Sequence, residues 1–318
     1  MPIELVDLKK YYAVGKRFFD WGRTRLKAVN GISFTIPEGK TEALIGESGC
    51  GKTTTAKLIL RLETPTSGMI SFDGKDIQGL SEAELAEYRR SIQAVFQNPY
   101  ASLNPRMRVR DLVAEPIIAN RQMPKKEAQD RVVEVLGQVG LGADSVSLYP
   151  HEFSGGQRQR IAIARALSLA PRFIVLDEPV SALDVSIRAQ IMNLFKSLQE
   201  ELGLGYLLIA HDLATAIHLS HHIEIIYAGK VVESTPAGEL YHSALHPYTK
   251  SLLRAASPAK LWQEKQELIL HGEVPNPLNM PPGCPFHPRC PNRMPKCSRY
   301  EPPLKAVANE HTVRCHLF

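Results

Sequence analysis

Two glycine-rich segments about a hundred residues apart have the composition of phosphate-binding loops. The first, residues 46–53 with the letters GESGCGKT, fits the pattern G-x-x-x-x-G-K-[ST], whose backbone N–H groups surround nucleotide phosphates. In this pattern we expect Lys52 to reach the β- and γ-phosphates and Thr53 to ligate Mg²⁺. The second, residues 154–157 with the letters SGGQ, opens a helical pattern, so its amides can also face phosphate.

One ATP needs only one such loop, so two loops in one chain predict that each covers the nucleotide held by a second ATPase subunit. The candidate nucleotide-binding residues of both segments are Gly46, Glu47, Ser48, Gly49, Cys50, Gly51, Lys52, Thr53, Thr54, Ser154, Gly155, Gly156 and Gln157.

Polar side chains follow several apolar runs that have the length of buried strands. Asp177 and Glu178 end one such run, and we predict that Asp177 holds Mg²⁺ through water while Glu178 polarises the attacking water. Gln97 follows another run and is predicted to touch both Mg²⁺ and that water. His211 follows a third run and is predicted to donate a hydrogen bond to the γ-phosphate. Ligands gather at such strand ends in α/β sheets, which favours these roles over the structural ones that an isolated Gln or His usually has.

Apolar spacing alternates between the periods of strands and helices along most of the chain, which predicts a largely parallel α/β sheet. Residues from about 98 to 170 are mostly helical and predict an inserted helical subdomain. One helix there begins near Pro124, and one apolar face of it is predicted to comprise Ala128, Val132, Val135, Leu136 and Val139. The predicted strands are 3–8, 28–36, 41–45, 69–72, 93–96, 173–176, 205–210, 222–227 and 230–233, and two further helices are predicted at 53–62 and 186–202.

The C-terminal part differs in composition from the rest. Residues 246–318 hold 12 of the 23 prolines and four of the five cysteines, which predicts a boundary near residue 245 and an extension that needs a metal to hold it together. The cysteines are spaced C-x5-C-x6-C-x17-C, without the C-x2-C pair that zinc sites favour, and proline follows two of them. A 4Fe–4S cluster suits this pattern better, with zinc, free thiols or disulfides as alternatives. The four cysteines are Cys284, Cys290, Cys297 and Cys315.

Composition excludes several classes of protein. With 44% hydrophobic and 22% charged residues the chain is typical of a globular protein, and a net charge of +5 is too small to indicate nucleic-acid binding. The longest apolar runs fall well short of the roughly 20 residues that span a bilayer. The N-terminus lacks the features of a signal peptide, so we expect the protein to stay in the cytosol or sit on a membrane protein. The basic, aromatic segment 13–27 is predicted to be an exposed hairpin loop.

Six elements over residues 1–245 resemble, in their order, the nucleotide-binding subunit of an ABC transporter. They are the phosphate loop, the glutamine loop at Gln97, the signature 153–157, the acidic strand 173–178, the D-loop 181–184 and the switch His211. The resemblance implies ATP and Mg²⁺ as cofactors, and it implies that Tyr12 stacks on adenine. It also implies an α/β fold with a RecA-like P-loop ATPase core, an antiparallel β subdomain, the helical subdomain and an irregular Cys-rich C-terminal extension. The signature begins with Phe153, where Leu is commoner in the family.

Three further segments resemble the oligopeptide/dipeptide importer subfamily, namely residues 97–105, 246–253 and 283–291. This resemblance implies a second, paralogous ATP-binding subunit, with a homodimer as the alternative. It also implies two transmembrane permease subunits, an extracytoplasmic substrate-binding protein as an indirect partner, no nucleic acid, and a peripheral location on the cytoplasmic face of the membrane. Relatives with this architecture also import oligosaccharides or nickel.

A soluble ABC ATPase acting on ribosomes or DNA is the alternative from another class. Translation-type relatives carry two cassettes in one chain, and repair-type relatives place a long coiled coil between the phosphate loop and the signature, for which this chain has no room. A module that has lost catalysis is disfavoured by Glu178 and His211.

Overall fold

The computed structural model describes residues 2–14, 25–97, 102–120, 123–256 and 275–318. The strands are β1 (Ile3–Ala13), β2 (Arg25–Ile36), β3 (Thr41–Ile45), β4 (Ser67–Phe72), β5 (Lys75–Asp76), β6 (Ile92–Phe96), β7 (Phe173–Asp177), β8 (Gly205–Ala210), β9 (His222–Tyr227), β10 (Lys230–Pro236), β11 (Lys305–Ala308) and β12 (His311–Val313). The helices are α1 (Lys52–Ile59), α2 (Glu82–Ser91), α3 (Val109–Ala119), α4 (Lys125–Gln138), α5 (Gly155–Leu167), α6 (Val185–Leu202), α7 (Leu213–Leu219), α8 (Leu240–Ser243) and α9 (Pro247–Ala256).

Each strand and helix predicted from apolar spacing overlaps an observed one. Most of the basic segment 13–27 lies outside the described residues, since only residues 13–14 and 25–27 are described. Among the described residues, no helix combines the length and the apolar character needed to cross a membrane.

The chain forms two compact units, each built from separate stretches of sequence. The first comprises mainly residues 36–41 and 72–208, and the second comprises residues 3–35, 42–71 and 209–318. The boundary predicted near residue 245 lies inside the second unit and stays a prediction.

The first unit combines a parallel strand pair with packed helices. Strands β6 and β7 run parallel, and α3, α4 and α5 pack against one another. The apolar face predicted for α4 is buried, because its five members are at most 2% exposed, and the helix begins directly after Pro124. That face consists of Ala128, Val132, Val135, Leu136 and Val139.

Arg172, just before β7, joins distant parts of the first unit. Its guanidinium binds Asp73 with two hydrogen bonds of 2.6 and 3.1 Å and Glu38 with two of 3.0 and 3.1 Å. The Arg172 hydrogen bond lowers the pKa of Glu38 to about 2. This network fixes the chain that leads into β7 and therefore the acidic end of that strand.

The second unit carries the phosphate loop, and it also contains the C-terminal extension. Strand β3 pairs in parallel with β9, while β9–β10, β10–β12 and β12–β11 are antiparallel. The extension was expected to be irregular. Its described residues contain the helix α9 and the two short strands β11 and β12, of which β12 adds to the edge of β10. Two strands of three and four residues are too short for a periodic pattern to reveal them.

His246 begins the extension as the residue before α9. Its backbone N–H donates to the buried Glu233 carboxylate at 3.0 Å, and its Nδ1 accepts the N–H of Tyr248 at 3.0 Å. The His246 side chain therefore acts as the N-cap of α9. Burial lowers the pKa of His246 to about 3.

We expect His246→Asn to make the free energy of unfolding depend less steeply on pH below about pH 6.5. Below about pH 6.5 the unfolded chain takes up a proton on His246, whereas the folded protein does not until its much lower pKa is reached. Stability is therefore lost as pH falls, by up to about 1.4 kcal/mol per pH unit for this group. Asn keeps an acceptor for Tyr248 but does not titrate. Urea unfolding of both proteins between about pH 6.5 and 5 measures the difference, and parallel curves would contradict the prediction.

Candidate nucleotide-binding and catalytic site

The phosphate loop lies between β3 and α1, in the strand–loop–helix context that its sequence pattern requires. A Cβ on Gly46 would lie 2.2 Å from the carbonyl oxygen of Ile226, and one on Gly51 would lie 2.4 Å from that of Ala28. Gly51 also has φ 114°, a backbone conformation that only glycine adopts readily. These two glycines let the loop pack directly against neighbouring backbone.

Lys52 lies inside the loop and is buried. Its Nζ donates to the carbonyl oxygens of Gly46 at 2.6 Å and Glu47 at 3.1 Å, and the residue is 6% exposed. The ammonium group is therefore held by carbonyl groups of the loop whose N–H groups we expect to bind phosphate. Thr53, the predicted Mg²⁺ ligand, is exposed at the start of α1, as are Ser48 and Gly49 in the loop.

The structure distinguishes the two adjacent tyrosines near the end of β1. The Tyr12 side chain hydrogen-bonds Thr54 in α1, and Lys10 Nζ lies 5.0 Å from the Tyr12 ring centre. Tyr11 instead donates its hydroxyl to Asn30 at 2.6 Å. Of the two, Tyr12 lies beside the helix that follows the phosphate loop, which is where a ring that stacks on adenine is needed.

Glu47 of the phosphate loop is held by the C-terminal extension. Its backbone N–H donates to the Tyr248 hydroxyl at 2.9 Å, so this N–H is already paired with protein. Its carboxylate accepts two hydrogen bonds from Arg289, at 2.7 and 2.9 Å, and the Arg289 side chain is only 5% exposed. Sequence reasoning counted Glu47 among the nucleotide-binding residues but missed Arg289, since nothing in the spacing links residues so far apart.

An aromatic cluster supports this contact. The rings of Tyr227, Tyr248 and Phe286 pack on one another with centre-to-centre distances of 4.7 to 5.5 Å, and all three are fully buried. Tyr227 ends β9, whereas the other two belong to the extension. The extension therefore packs against the end of β9 and supports the two contacts with Glu47.

His211 lies in the second unit, directly after β8. The residue is exposed, and the next one, Asp212, caps α7 by accepting the N–H groups of Ala214 at 3.1 Å and Thr215 at 3.3 Å. The cap fixes the backbone on the C-terminal side of His211 and so restricts where its imidazole can reach.

Gln97, Asp177 and Glu178 meet at one edge of the first unit. In the parallel register Phe96 lies opposite Asp177, so Gln97 and Glu178 each come directly after a paired residue. Glu178 has φ 51°, and its carbonyl oxygen accepts the Ser181 N–H at 3.2 Å and hydroxyl at 3.1 Å. A non-glycine residue in this left-handed conformation costs of order 1 kcal/mol or more, and such strain concentrates at functional sites.

The signature segment begins α5 with a reciprocal cap. Ser154 Oγ accepts the Gln157 N–H at 3.4 Å, and Gln157 Oε1 accepts the Ser154 N–H at 2.9 Å. Both side chains are exposed. Gly156 packs against α6, because a Cβ there would lie 2.5 Å from Cγ2 of Ile187, whereas one on Gly155 would meet nothing closer than 3.8 Å.

We expect Gly156→Ala to destabilise the protein by about 1–3 kcal/mol, because the added methyl group would overlap Cγ2 of Ile187. That atom is bonded directly to the β-carbon of a branched side chain, so it has little freedom to move. Gly155→Ala is the matched control, and its cost should stay within about 1 kcal/mol because Ala is the better helix former. Urea unfolding measures both changes. Equal stabilities of the two variants would show that Ile187 does not constrain this position.

The tail cysteines form no disulfides, and three of them are buried. Burial is the main cause that raises the pKa of the Cys284 thiol, to about 11, and the other three thiols contribute to the shift. No three of these four sulfurs all lie within 4.8 Å of one another. Four sulfurs around one Zn²⁺ at about 2.3 Å would be about 3.8 Å apart, so the arrangement does not fit a single-ion site.

Comparisons with known proteins cover almost the whole chain. It is 46% identical to the oligopeptide transport ATP-binding protein AppF of Bacillus subtilis, over 99% of this chain and 97% of that protein. It is 43% identical to the dipeptide transport ATP-binding protein DppF of Escherichia coli, over 95% and 90%. A solved dimeric ATP-binding cassette in a post-hydrolysis state with ADP and Pi matches with a TM-score of 0.64 and 31% identity, over 74% of this chain and 98% of that chain.

Two family models match separate parts of the sequence. Residues 29–181 match the model described as ABC transporter, and residues 232–297 match the model described as oligopeptide/dipeptide transporter, C-terminal region. These comparisons lend no support to the expected 4Fe–4S cluster, which stays a prediction. The chain belongs to the ATP-binding proteins of ABC transporters, in the oligopeptide/dipeptide subfamily.

Proposed function

We propose that this chain is the ATP-hydrolysing subunit of an ABC importer that takes up oligopeptides or dipeptides. The observation that carries the proposal is the combination, in one chain, of a phosphate loop in its required context and a C-terminal extension that matches this subfamily. Relatives named as oligopeptide and dipeptide transport proteins match over nearly their full length. Import of oligosaccharides or nickel by the same architecture is the alternative.

In this proposal each predicted site residue has the role that its motif implies. Lys52 and the loop N–H groups bind the phosphates, while Tyr12 stacks on the adenine. Thr53, Gln97 and Asp177 would hold Mg²⁺, which supplies charge neutralisation when bound with ATP. Glu178 orients the attacking water and accepts its proton, and His211 donates to the γ-phosphate. Positioning and fixed charge supply most of the rate enhancement.

We infer that the Ser154–Gln157 segment, in which Ser154 and Gln157 are exposed, covers the nucleotide of a second ATP-binding subunit. That subunit is proposed to be a paralogue, with a second copy of this chain as the alternative. The remaining partners are two transmembrane permease subunits and, indirectly, an extracytoplasmic substrate-binding protein. These partners place the chain on the cytoplasmic face of the membrane as a peripheral subunit. The match to the transporter C-terminal region argues against a soluble ABC ATPase that acts on ribosomes or DNA.

Uptake in cells that lack this chain tests the proposal. The parent protein is expected to restore uptake of a labelled dipeptide or oligopeptide, whereas Lys52→Met is expected not to, since the phosphate-binding ammonium is lost. Lys57→Met, an exposed position on the same helix, is the matched control and should restore uptake. Restored uptake of nickel or an oligosaccharide but not of peptides would replace the proposed substrate. Full uptake with Lys52→Met would overturn the ATPase role.

We also propose that Cys284, Cys290, Cys297 and Cys315 hold a 4Fe–4S cluster with a structural role. In support, all four are free, and the other three thiols contribute to the raised pKa of Cys284, so the thiols converge. Their sulfurs are nevertheless too far apart for one zinc ion. Anaerobic purification should give bound iron and sulfide and an absorption band at about 400 nm, as expected for a thiolate-bound cluster. Stoichiometric zinc without iron would refute it.

A further inference from the structure

Three side chains on one face of the sheet in the second unit bring two carboxylates and an imidazole together. Glu42 on β3 lies opposite His222 on β9 in the parallel register, and Glu224 follows two residues later on the same face. His222 Nδ1 lies 3.2 Å from an oxygen of Glu42 and 3.9 Å from an oxygen of Glu224. Tetrahedral bonds of about 2.0–2.2 Å to nitrogen and oxygen put ligand atoms about 3.3–3.6 Å apart, so these distances bracket those of a metal site.

Two outer contacts orient this group as they do in metal sites. His222 Nε2 lies 3.0 Å from the carbonyl oxygen of Glu310, which leaves Nδ1 facing the two carboxylates. The Ser234 hydroxyl donates to Glu224 Oε1 at 2.8 Å. Ser234 lies on β10, which pairs with β9, and Glu310 lies in the turn between β11 and β12.

One atom of the group has no partner. Glu224 Oε2 is buried without a hydrogen-bond donor, in a residue that is only 4% exposed. A buried carboxylate oxygen left unpaired costs roughly 1–3 kcal/mol. One ligand atom from each of Glu42, His222 and Glu224 lies within 4.8 Å of the other two, so a cation shared by the three residues would offset the buried charge of the Glu224 carboxylate.

The charges specify what kind of cation fits. With a neutral imidazole the group carries two negative charges, which a divalent ion balances. One imidazole and two carboxylates suit Zn²⁺ and similar first-row ions better than Ca²⁺ or Mg²⁺. The His222 side chain is 23% exposed and those of Glu42 and Glu224 are 6% exposed, so the group is largely shielded from solvent.

We propose that Glu42, His222 and Glu224 form a binding site for a divalent transition-metal ion of the Zn²⁺ class, separate from the nucleotide and from the tail cysteines. The bound ion would join β3, which leads into the phosphate loop, to β9. Through Glu310 it would also hold the β11–β12 turn of the extension.

Titration of the full-length, nucleotide-free protein with Co²⁺ tests the site. Thiolate ligands give Co²⁺ an intense near-ultraviolet charge-transfer absorption, whereas nitrogen and oxygen ligands give only visible bands. We expect one equivalent of Co²⁺ that shows visible bands without the thiolate absorption and is displaced by Zn²⁺. Glu224→Gln and Glu42→Gln should each weaken its binding by about 100-fold or more, and Ser234→Ala by about 10–100-fold.

The matched control is Glu239→Gln, an exposed position in the same unit, which should bind Co²⁺ like the parent protein. Binding by Glu224→Gln and Glu42→Gln that equals the parent's would overturn the proposal, and so would Co²⁺ that appears only with thiolate absorption or does not bind. If circular dichroism shows either Gln variant to be unfolded, Ser234→Ala decides, because unchanged affinity in that variant would also overturn it.

Discussion

Glu178→Gln is expected to leave ATP binding intact and to slow ATP hydrolysis by about 10²–10⁴-fold, the usual contribution of a positioned general base. The amide has the shape of the carboxylate but cannot accept the proton of the attacking water. The hydrogen bonds from Ser181 reach the Glu178 carbonyl oxygen and not its side chain, so the strained backbone should stay in place. Phosphate release measures turnover in the assembled transporter, and a fluorescent ATP analogue measures binding.

Glu201→Gln provides the control for this prediction, since it makes the same chemical change at an exposed position near the end of α6. It should hydrolyse ATP at the parent rate. Undiminished hydrolysis by Glu178→Gln would remove this residue from the catalytic role. Loss of ATP binding together with turnover would instead indicate that Glu178 shapes the site.

Arg289→Met should destabilise the protein by about 2–4 kcal/mol and weaken ATP binding. The substitution leaves the Glu47 carboxylate without its two hydrogen bonds inside a largely buried contact, and removing one partner of a buried ion pair is costly. The expected loss of stability is somewhat smaller than the roughly 3–5 kcal/mol of a fully buried pair. The reason is that the Glu47 side chain is 24% exposed, so water can partly replace Arg289. Affinity should fall because Glu47 belongs to the phosphate loop. Urea unfolding and nucleotide titration measure the two effects.

Arg293→Met, an exposed position in the same extension, is the control and should change neither quantity. A double-mutant cycle with Glu47→Gln separates the ion pair from other effects of losing Arg289. If Arg289→Met binds ATP and unfolds like the parent protein, the extension does not stabilise the phosphate loop through this pair.

These contacts give the C-terminal extension a physical role within the ATPase. Tyr248 and Arg289 bind the same phosphate-loop residue, one through its backbone and the other through its side chain. The aromatic cluster behind them is fully buried. Substitutions in the extension are therefore expected to change the affinity for nucleotide, although no residue of the extension belongs to the phosphate-loop motif.

Local patterns in the sequence were sufficient to predict the chemistry that we propose for the site. The phosphate loop was recognisable because its glycines, Lys52 and Thr53 stand at a fixed spacing within eight residues. The strand–helix alternation was readable because strand and helix periods differ. Asp177 and Glu178 were recognisable because polar residues that end an apolar strand stand out. The helix α4 was predicted because its apolar residues recur at the spacing of one helix face.

Contacts between residues far apart in the chain could not be read in this way. The pair Glu47–Arg289 joins positions separated by 242 residues, and Glu42 meets a histidine 180 residues away. The short strand β12 forms because the edge of β10 offers it hydrogen bonds, and β11 pairs with β12 in turn, so the sequence pattern did not predict either strand. Periodicity and motif spacing report only on neighbours in sequence. Ion pairs, buried carboxylate groups and added edge strands form where the folded backbone brings distant segments within a few ångströms, and only the folded chain reveals them.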